Sequence, residues 1–375
     1  MRILIDYRPA LRHRTGVGEY VHELASAVVR SAPPAETITL FASSWKDRLA
    51  PDAIPGARTA DAHVPVQVLN FAWHRLRWPP VEWIAGGAFD VVHALHPLPI
   101  PASRAARVVT VHDLDFLDHP ERTRAEIRRD YGALVRQGVS AADHVMVNSA
   151  HTAAAVEQRL GVDPARITIC LPGAPAWPRR IEEPEAGYVL FFGTLEPRKN
   201  AAALLDAYEQ LFEEARTGAT RLPRLVFAGG IPPEASALID RIKQSPVATH
   251  VDLLGYVDAA RRIDVYRGAL VLVMPSHHEG FGMPALEAMA TGVPVIAAER
   301  GALPEAVGVA GHLFNPDDST SLPHALRAVL SDRTRRDQMR ELGWARARQL
   351  QWSDAATGAR RAWSKAIEYR NRRRG

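Results

Sequence analysis

Three features of this 375-residue sequence predict an α/β protein made of two Rossmann-like domains, each a doubly wound parallel sheet. The length is two to three times that of a typical domain of ~150 residues, so two cores are expected rather than one. Short apolar runs with β-branched content alternate with helical stretches along the whole chain. Those runs are continuous rather than alternating in polarity, as strands covered on both faces must be. A composition of 47% hydrophobic and 23% charged residues excludes wholesale disorder.

The first strand is expected at residues 2–6, with a polar loop at 7–18 and a helix over 19–30. Strands follow at 38–41, 91–94, 108–112, 144–148 and 167–171. The second half repeats the alternation at 188–192, 225–228, 251–254, 270–274 and 293–297. Between the halves lies Leu171-Pro-Gly-Ala-Pro-Ala-Trp-Pro178, whose prolines and glycine suit a linker. Domains over 1–178 and 185–352 follow, with ligands expected in the cleft at the strands' carboxyl ends. The stretch 353–375 is a long helical pattern carrying Trp363, Ile367 and Tyr369. It either ends the second domain or crosses back to brace the first, and periodicity leaves both open.

One cysteine, Cys170, excludes a disulfide framework and any cysteine-based zinc site. The N-terminal apolar stretch is too short for a signal peptide, and no apolar run approaches the ~18 residues that would span a bilayer. A soluble, cytoplasmic protein is expected. The isoelectric point near 9.4 hints at nucleic acid, but the net charge is only +4. Lys46, Lys199, Lys243 and Lys365 are the only lysines, so arginine raises the isoelectric point while interspersed acids prevent a dense field. The local basic clusters are residues 124–129 and the tail 370–374. Solvated faces and a frayed terminus account for them, and an anionic membrane surface or phosphorylated acceptor suits them better than DNA. No nucleic-acid-reading motif is present.

Four constellations carry chemistry. The richest is Pro275-Ser-His-His-Glu-Gly-Phe-Gly-Met-Pro284, running from a strand end through a two-glycine loop into a helix. Proline near the first helical position is preorganised, and the free amides there favour an anion. Gly280 and Gly282 allow close backbone approach to a ligand. Glu279 on the loop and Glu287 in the helix are suited to accept hydrogen bonds from sugar or ribose hydroxyls. The second is Phe192-Gly-Thr-Leu-Glu-Pro-Arg-Lys-Asn200, again after a strand, where Arg198 and Lys199 set a planar fork beside a point charge, apt for a diphosphate.

The third constellation, Arg14-Thr-Gly-Val-Gly-Glu-Tyr20, lacks the third glycine of a dinucleotide fingerprint and starts too late after strand one. A dehydrogenase is disfavoured, and a glycine loop over the cleft is expected instead. In the fourth, Val111-His-Asp-Leu-Asp115, the Asp113 and Asp115 pair resembles metal-binding carboxylates of a different architecture. The preceding His112 and the doubly wound context favour a catalytic or substrate role for His112 instead.

At these residues the sequence resembles the retaining glycosyltransferases of the large family 4, group 1 type, which have the GT-B fold. Glu279 and Glu287 match that group's Glu-x7-Glu signature, Gly193 with Arg198-Lys199-Asn200 its phosphate-binding segment, and Thr15-Gly16-Val17-Gly18 its N-terminal glycine loop. Val111-His112-Asp113 resembles the branch that transfers mannose to polysaccharide and lipopolysaccharide intermediates. One departure is Gly308-Val-Ala-Gly311, where an acid is common before the alanine.

The resemblance implies a nucleotide-diphosphate sugar as donor, with GDP-mannose ahead of UDP-glucose and UDP-N-acetylglucosamine. Arg198 and Lys199 would hold the diphosphate, and the amides of Phe281, Gly282 and Met283 would meet sugar hydroxyls and phosphate. Glu287 would take the ribose hydroxyls, Glu279 would orient the donor sugar, and Gly16 would approach the diphosphate from the other domain. Gly255-Tyr256-Val257 would line the base pocket, and His112 would sit beside the anomeric centre. No cofactor and no metal are implied. A nucleotide-sugar-binding module without catalysis is the alternative of another class, and intact Glu279, Glu287, Arg198 and Lys199 argue against it.

The acceptor, a glycan or lipid-diphosphate-linked sugar, is expected on the N-terminal domain. Residues 70–83 mix Trp73, Trp78 and Trp83 with His74, Arg75 and Arg77. That mixture suits a membrane surface at the inner face of the membrane or a lipid-diphosphate contact, and equally a helix packing its aromatic face inward.

Overall fold

The first sheet grows from β1 (Arg2–Asp6), whose Ile3, Leu4 and Ile5 are all buried because helices cover both faces of the strand. β1 pairs in parallel with β2 (Thr37–Ser43) on one side and β4 (Val91–Ala94) on the other. β3 (Arg58–Ala62) adds to β2, while β5 (Ala106–Val111), β6 (His144–Val147) and β7 (Ile167–Ile169) extend the other side. The resulting order is β3-β2-β1-β4-β5-β6-β7, all parallel. The second sheet repeats the plan with β8 (Tyr188–Phe192), β9 (Leu225–Ala228), β10 (Val251–Gly255), β11 (Ala269–Met274), β12 (Val295–Ala298) and β13 (His312–Phe314), ordered β10-β9-β8-β11-β12-β13. This computed structural model describes residues 1–11, 14, 16–98, 100–120, 130–217 and 222–374. Thr15 and the basic stretch 124–129 lie outside the described residues.

The chain divides into two compact units, Met1–Gly173 with Gln351–Gly375, and Ala174–Leu350. The division falls at residue 173, inside the proline-rich stretch, rather than at 178. Gly173 explains the position: a Cβ there would lie 2.2 Å from the Trp352 nitrogen, so only glycine lets the two chain passages touch within the first unit. The terminal helix Trp352–Arg374 belongs to this first unit. Its buried face is Ala355, Ala356, Gly358, Ala359, Ala362, Trp363 and Ala366, a stripe at helical spacing whose small residues permit close approach. A Cβ at Gly358 would stand 3.2 Å from Cys170 Sγ. Trp363 is fully buried and its Nε1–H donates to His93 Nδ1 at 3.1 Å, while His93 Nε2 pairs with Thr110 Oγ1 at 2.9 Å. Burying one such indole contributes about 3 kcal/mol, enough to commit the helix to this core.

Two edge strands lack a sequence signal. β3 reads Arg-Thr-Ala-Asp-Ala with no fully buried position, and β13 has three residues, so neither carries the apolar run that marks a central strand. The helix expected from residue 19 begins at Gly16, which makes the glycine loop the helix's own first turn. In the tryptophan-rich stretch the two readings divide by residue. Trp73 is buried, with Nε1–H donating to the Pro79 carbonyl at 3.0 Å, whereas Trp78 and Trp83 are exposed.

Candidate functional site

In the second sheet the order reverses between β8 and β11, the point where open α/β sheets hold their ligands beyond the strands' carboxyl ends. The loop after β8 carries Arg198 and Lys199, and the loop after β11 carries Glu279, so sheet topology alone brings these two loops together. They are laced by a backbone bond from the His277 N–H to the Arg198 carbonyl at 2.9 Å. The Lys199 ammonium donates to Glu279 Oε1, and the Ser276 hydroxyl donates to the same oxygen at 2.8 Å. Arg198 Nη1 stands 3.9 Å from Glu279 Oε2, and its Nε donates to Glu196 at 3.0 Å.

Glu279 is buried, and burial pushes its carboxyl up, but Lys199 and Arg198 outweigh that and hold it below the ordinary value. Burial pulls Lys199 below the usual lysine value, with Glu279 opposing. Glu279 is therefore ionised near neutrality, with Lys199 as its hydrogen-bonded partner. A third loop braces Glu279 from behind. The Ala302 N–H donates to the Glu279 carbonyl at 3.1 Å, and a Cβ on Gly301 would fall 2.8 Å from that oxygen.

Beyond Glu279 the chain turns at Gly282, with φ of 105°, into the helix Met283–Thr291, with proline in its first turn. The amides of Phe281, Gly282 and Met283 find no acceptor among the described residues. Three unengaged N–H groups at a helix start form a site for negative charge. Gly280 and Phe281 are buried in this turn, and a Cβ on Gly282 would meet Leu303 at 2.8 Å.

Glu287 points inward. Its carboxylate is held bidentate by Arg262, one oxygen from Nε at 3.0 Å and the other from Nη2, and both side chains are buried. The Arg262 guanidinium in turn lies over Phe192 and Trp177, with ring centroids 5.7 and 5.9 Å away. Any ribose contact of Glu287 would use lone pairs that Arg262 leaves over.

The carboxyl edge of β8, β9 and β10 is finished by glycine on each strand: Gly193 (φ 153°), Gly229 (φ 141°) and Gly255 (φ 67°). A Cβ on Gly229 would stand 2.1 Å from the Gly193 carbonyl oxygen, so the two backbones are in direct contact. The Gly229 N–H donates to the Gly255 carbonyl at 2.8 Å. Tyr256 beyond this edge is exposed, and the Val257 side chain is buried in the hydrophobic core, which leaves the backbone of this segment at the sheet edge.

Gly16 and His112 belong to the first unit. Gly16 has φ of 30° and open space where a Cβ would be, whereas a Cβ on Gly18 would strike the Pro9 carbonyl at 2.7 Å. His112, just beyond β5, donates from Nε2 to the Leu95 carbonyl at 3.0 Å and packs edge-on against Tyr20 at 4.9 Å. Burial lowers its pKa against the pull of that carbonyl and of Asp113, so the ring is neutral near pH 7. Among the described residues no three His, Cys, Asp or Glu side chains cluster as metal ligands, and no helix is long and apolar enough to cross a membrane.

Residues 175–345 match the family model of the glycosyl transferases group 1, and residues 14–176 match that of glycosyltransferase family 4. The O-antigen chain mannosyltransferase B of Escherichia coli is 27% identical over 376 residues, covering 95% of this chain and 98% of its own. A D-inositol 3-phosphate glycosyltransferase of Nocardia farcinica is 30% identical over 343 residues, covering 83% of this chain and 74% of its own. The chain belongs to the family 4, group 1 glycosyltransferases. Its fold is GT-B: HepE of Anabaena, solved with UDP and glucose, superposes with a TM-score of 0.70 at 18% identity over 97% of this chain and 99% of that one.

In this glycosyltransferase several site residues escape a motif-based reading. Arg262 is the most consequential, and its signal is faint but present. It shares a helical face with the buried Val265 and Tyr266, three and four residues on, so a cation there is turned inward and needs a carboxylate. Gly229, Gly301 and Ser276 carry no such signal, because each is defined by a neighbour from a different loop.

Proposed function

We propose that this glycosyltransferase is retaining and metal-independent, and that it moves mannose from GDP-mannose to a glycan or lipid-linked acceptor in polysaccharide or lipopolysaccharide assembly. The observation that supports the reading best is the convergence of Arg198, Lys199 and three unengaged amides on one sheet edge beside Glu279. Breaking the sugar–phosphate bond sends its electrons to the diphosphate and leaves oxocarbenium character on the sugar. Arg198, Lys199 and the helix start stabilise the departing diphosphate, the task a divalent cation performs elsewhere. Glu279, ionised and fixed by Lys199 and Ser276, accepts hydrogen bonds from donor-sugar hydroxyls. The acceptor hydroxyl attacks from the leaving-group face and gives its proton to the departing phosphate oxygen, so the chain need not supply a nucleophile. Neutral His112, as the first unit's contribution, contacts the sugar, and Gly16 leaves its backbone open to the diphosphate.

The E. coli relative's name favours mannose. UDP-glucose or UDP-N-acetylglucosamine is the second reading, favoured by the UDP and glucose in the HepE structure. Thermal melts with GDP, UDP, ADP and their sugar conjugates, with and without EDTA, separate the two. A ligand at about 100 times its Kd adds about 2.7 kcal/mol to stability. Stabilisation by GDP and GDP-mannose, unchanged by EDTA and lost in Arg198→Ala, is the expected result. Stabilisation by uridine nucleotides alone assigns the second donor, and dependence on a divalent cation overturns the metal-independent mechanism.

A further inference from the structure

The exposed apolar side chains of this protein are unevenly spread. Of the sixteen large exposed hydrophobic residues among the described residues, six fall within residues 66–83: Val66, Val68, Phe71, Leu76, Trp78 and Trp83. Leu76 and Phe71 are each 62% exposed, Trp78 56% and Trp83 67%, and the two indoles meet edge to face at 6.1 Å. An exposed apolar concentration of this kind marks an interaction surface. The segment is anchored from beneath, so the exposed rings are held out by design of the packing. Trp73 is buried against Phe41 and under the Arg8 guanidinium, and the Glu82 carboxylate is turned inward to accept the amides of Ser103, Arg104 and Ala105.

Beside these rings lies a cavity of about 140 Å³ whose lining includes Trp73, His74, Arg77, Ile100, Arg107 and Leu134. Two guanidiniums face it. Arg77 is exposed and has no anionic partner among the described residues, and the Arg107 Nε is buried without a hydrogen bond. The nearest carboxylate to Arg107, Asp143, is 3.9 Å away and already accepts Arg370 at 3.0 Å and the Arg107 amide at 2.8 Å. The terminal helix adds to the charge. Arg370 and Arg374 donate to the Ser103 carbonyl, which places the basic tail on the same face as Arg107, and Arg373 lies close enough to act on it electrostatically. Two sequence features nearly three hundred residues apart, the tryptophan stretch and the arginine tail, thus meet at one surface of the first unit.

We infer that this surface docks on an anionic lipid bilayer, with Trp78, Trp83 and Leu76 entering the interface and the Arg77–Arg107 cavity taking a lipid phosphate. The chemistry fits a bilayer better than a protein partner: indoles favour the polar–apolar boundary of a membrane, and guanidiniums around them match anionic headgroups. The docking deepens the lipid-linked acceptor of the proposed function, since it carries the enzyme to where such an acceptor resides. It is read by lipid binding alone, without donor or turnover.

The test is flotation of the full-length protein with phosphatidylcholine vesicles, with and without phosphatidylglycerol, over a salt series. The wild type is expected to float with the anionic vesicles, less so as salt rises. Trp78→Ala with Trp83→Ala should abolish flotation, and Arg77→Gln and Arg373→Gln should each weaken it about fivefold, the equivalent of one lost guanidinium near an anionic surface. All these residues are exposed, so the variants should melt with the wild type and keep its nucleotide-induced stabilisation. That control separates failure of the docking from failure of the donor site. Equal flotation with neutral vesicles, or flotation unchanged in the double tryptophan variant, overturns the inference. So does stabilisation by inorganic phosphate through Arg77 without vesicle binding, which assigns the cavity to a soluble anion. Loss of a dimer in the tryptophan variant, with no vesicle binding by the wild type, also overturns it and makes the surface a self-association face.

Discussion

Lys199 and Glu279, eighty positions apart, meet as a buried ion pair across the loops that follow β8 and β11. The pair does two things in the free enzyme. It fixes the Glu279 carboxylate in its ionised form, and it holds a cation at the sheet edge where a diphosphate would share it. Removing either partner leaves a buried charge uncompensated, which is costlier than never having had the pair.

Lys199→Met should destabilise the second unit by about 3–5 kcal/mol. It should also flatten the acid arm of the stability–pH profile. In the wild type Glu279 is held below 4.5, so its contribution is fully present above that value and is lost as pH falls through the lower folded-state value. With Lys199 gone, only Arg198 and Ser276 oppose burial, so the folded-state value rises and the loss on acidification begins to change at higher pH. Urea melts across the acid range check both, and an unchanged acid arm would remove Lys199 as the group that holds Glu279 ionised.

Arg262 and Glu287 form another buried pair in the same unit, and a double-mutant cycle measures it. Arg262→Met and Glu287→Gln should each cost about 3–5 kcal/mol alone, with the double variant well short of their sum. Additive losses would mean that the two side chains stabilise the unit independently.

Gly229→Ala and Gly16→Ala should part company. The first drives a Cβ to 2.1 Å from the Gly193 carbonyl, which no rotamer change relieves, and the second unit should lose several kcal/mol or fail to fold. At Gly16 the space is open, so the cost should stay near 1 kcal/mol, and a larger loss of turnover than of stability would report contact with the donor. Equal melting temperatures for the two variants would sink the contrast.

His112, kept neutral by burial, should not contribute an acid limb at the ordinary histidine value of 6.5 to kcat/KM. His112→Ala should lower kcat about tenfold, the scale of one lost hydrogen bond to the reacting sugar. A limb near 6.5 that disappears in that variant would mean the ring titrates in function.

Much of this protein is written locally. Ile3-Leu4-Ile5, Val91-Val92 and Leu225-Val226-Phe227 are continuous apolar runs because both faces of each strand are covered, and runs of that kind imply parallel sheets with helices on either side. Arg198-Lys199, Glu279 and Gly282-Met283-Pro284 are legible because each follows a strand directly, and strand-to-helix loops are where such sheets place ligands. What stayed hidden depends on residues from different loops meeting. Arg262 faces Glu287, Gly229 touches Gly193, Gly301 touches Glu279, and the Arg370–Arg374 tail reaches the face of Arg77 and Arg107. The terminal helix shows the same divide: its apolar stripe is plain in the sequence, but a stripe of alanines around one tryptophan fits any apolar groove. Only the position of His93 and Cys170 decides that it closes the first unit, because a side chain's period records that it is buried and says nothing of what buries it.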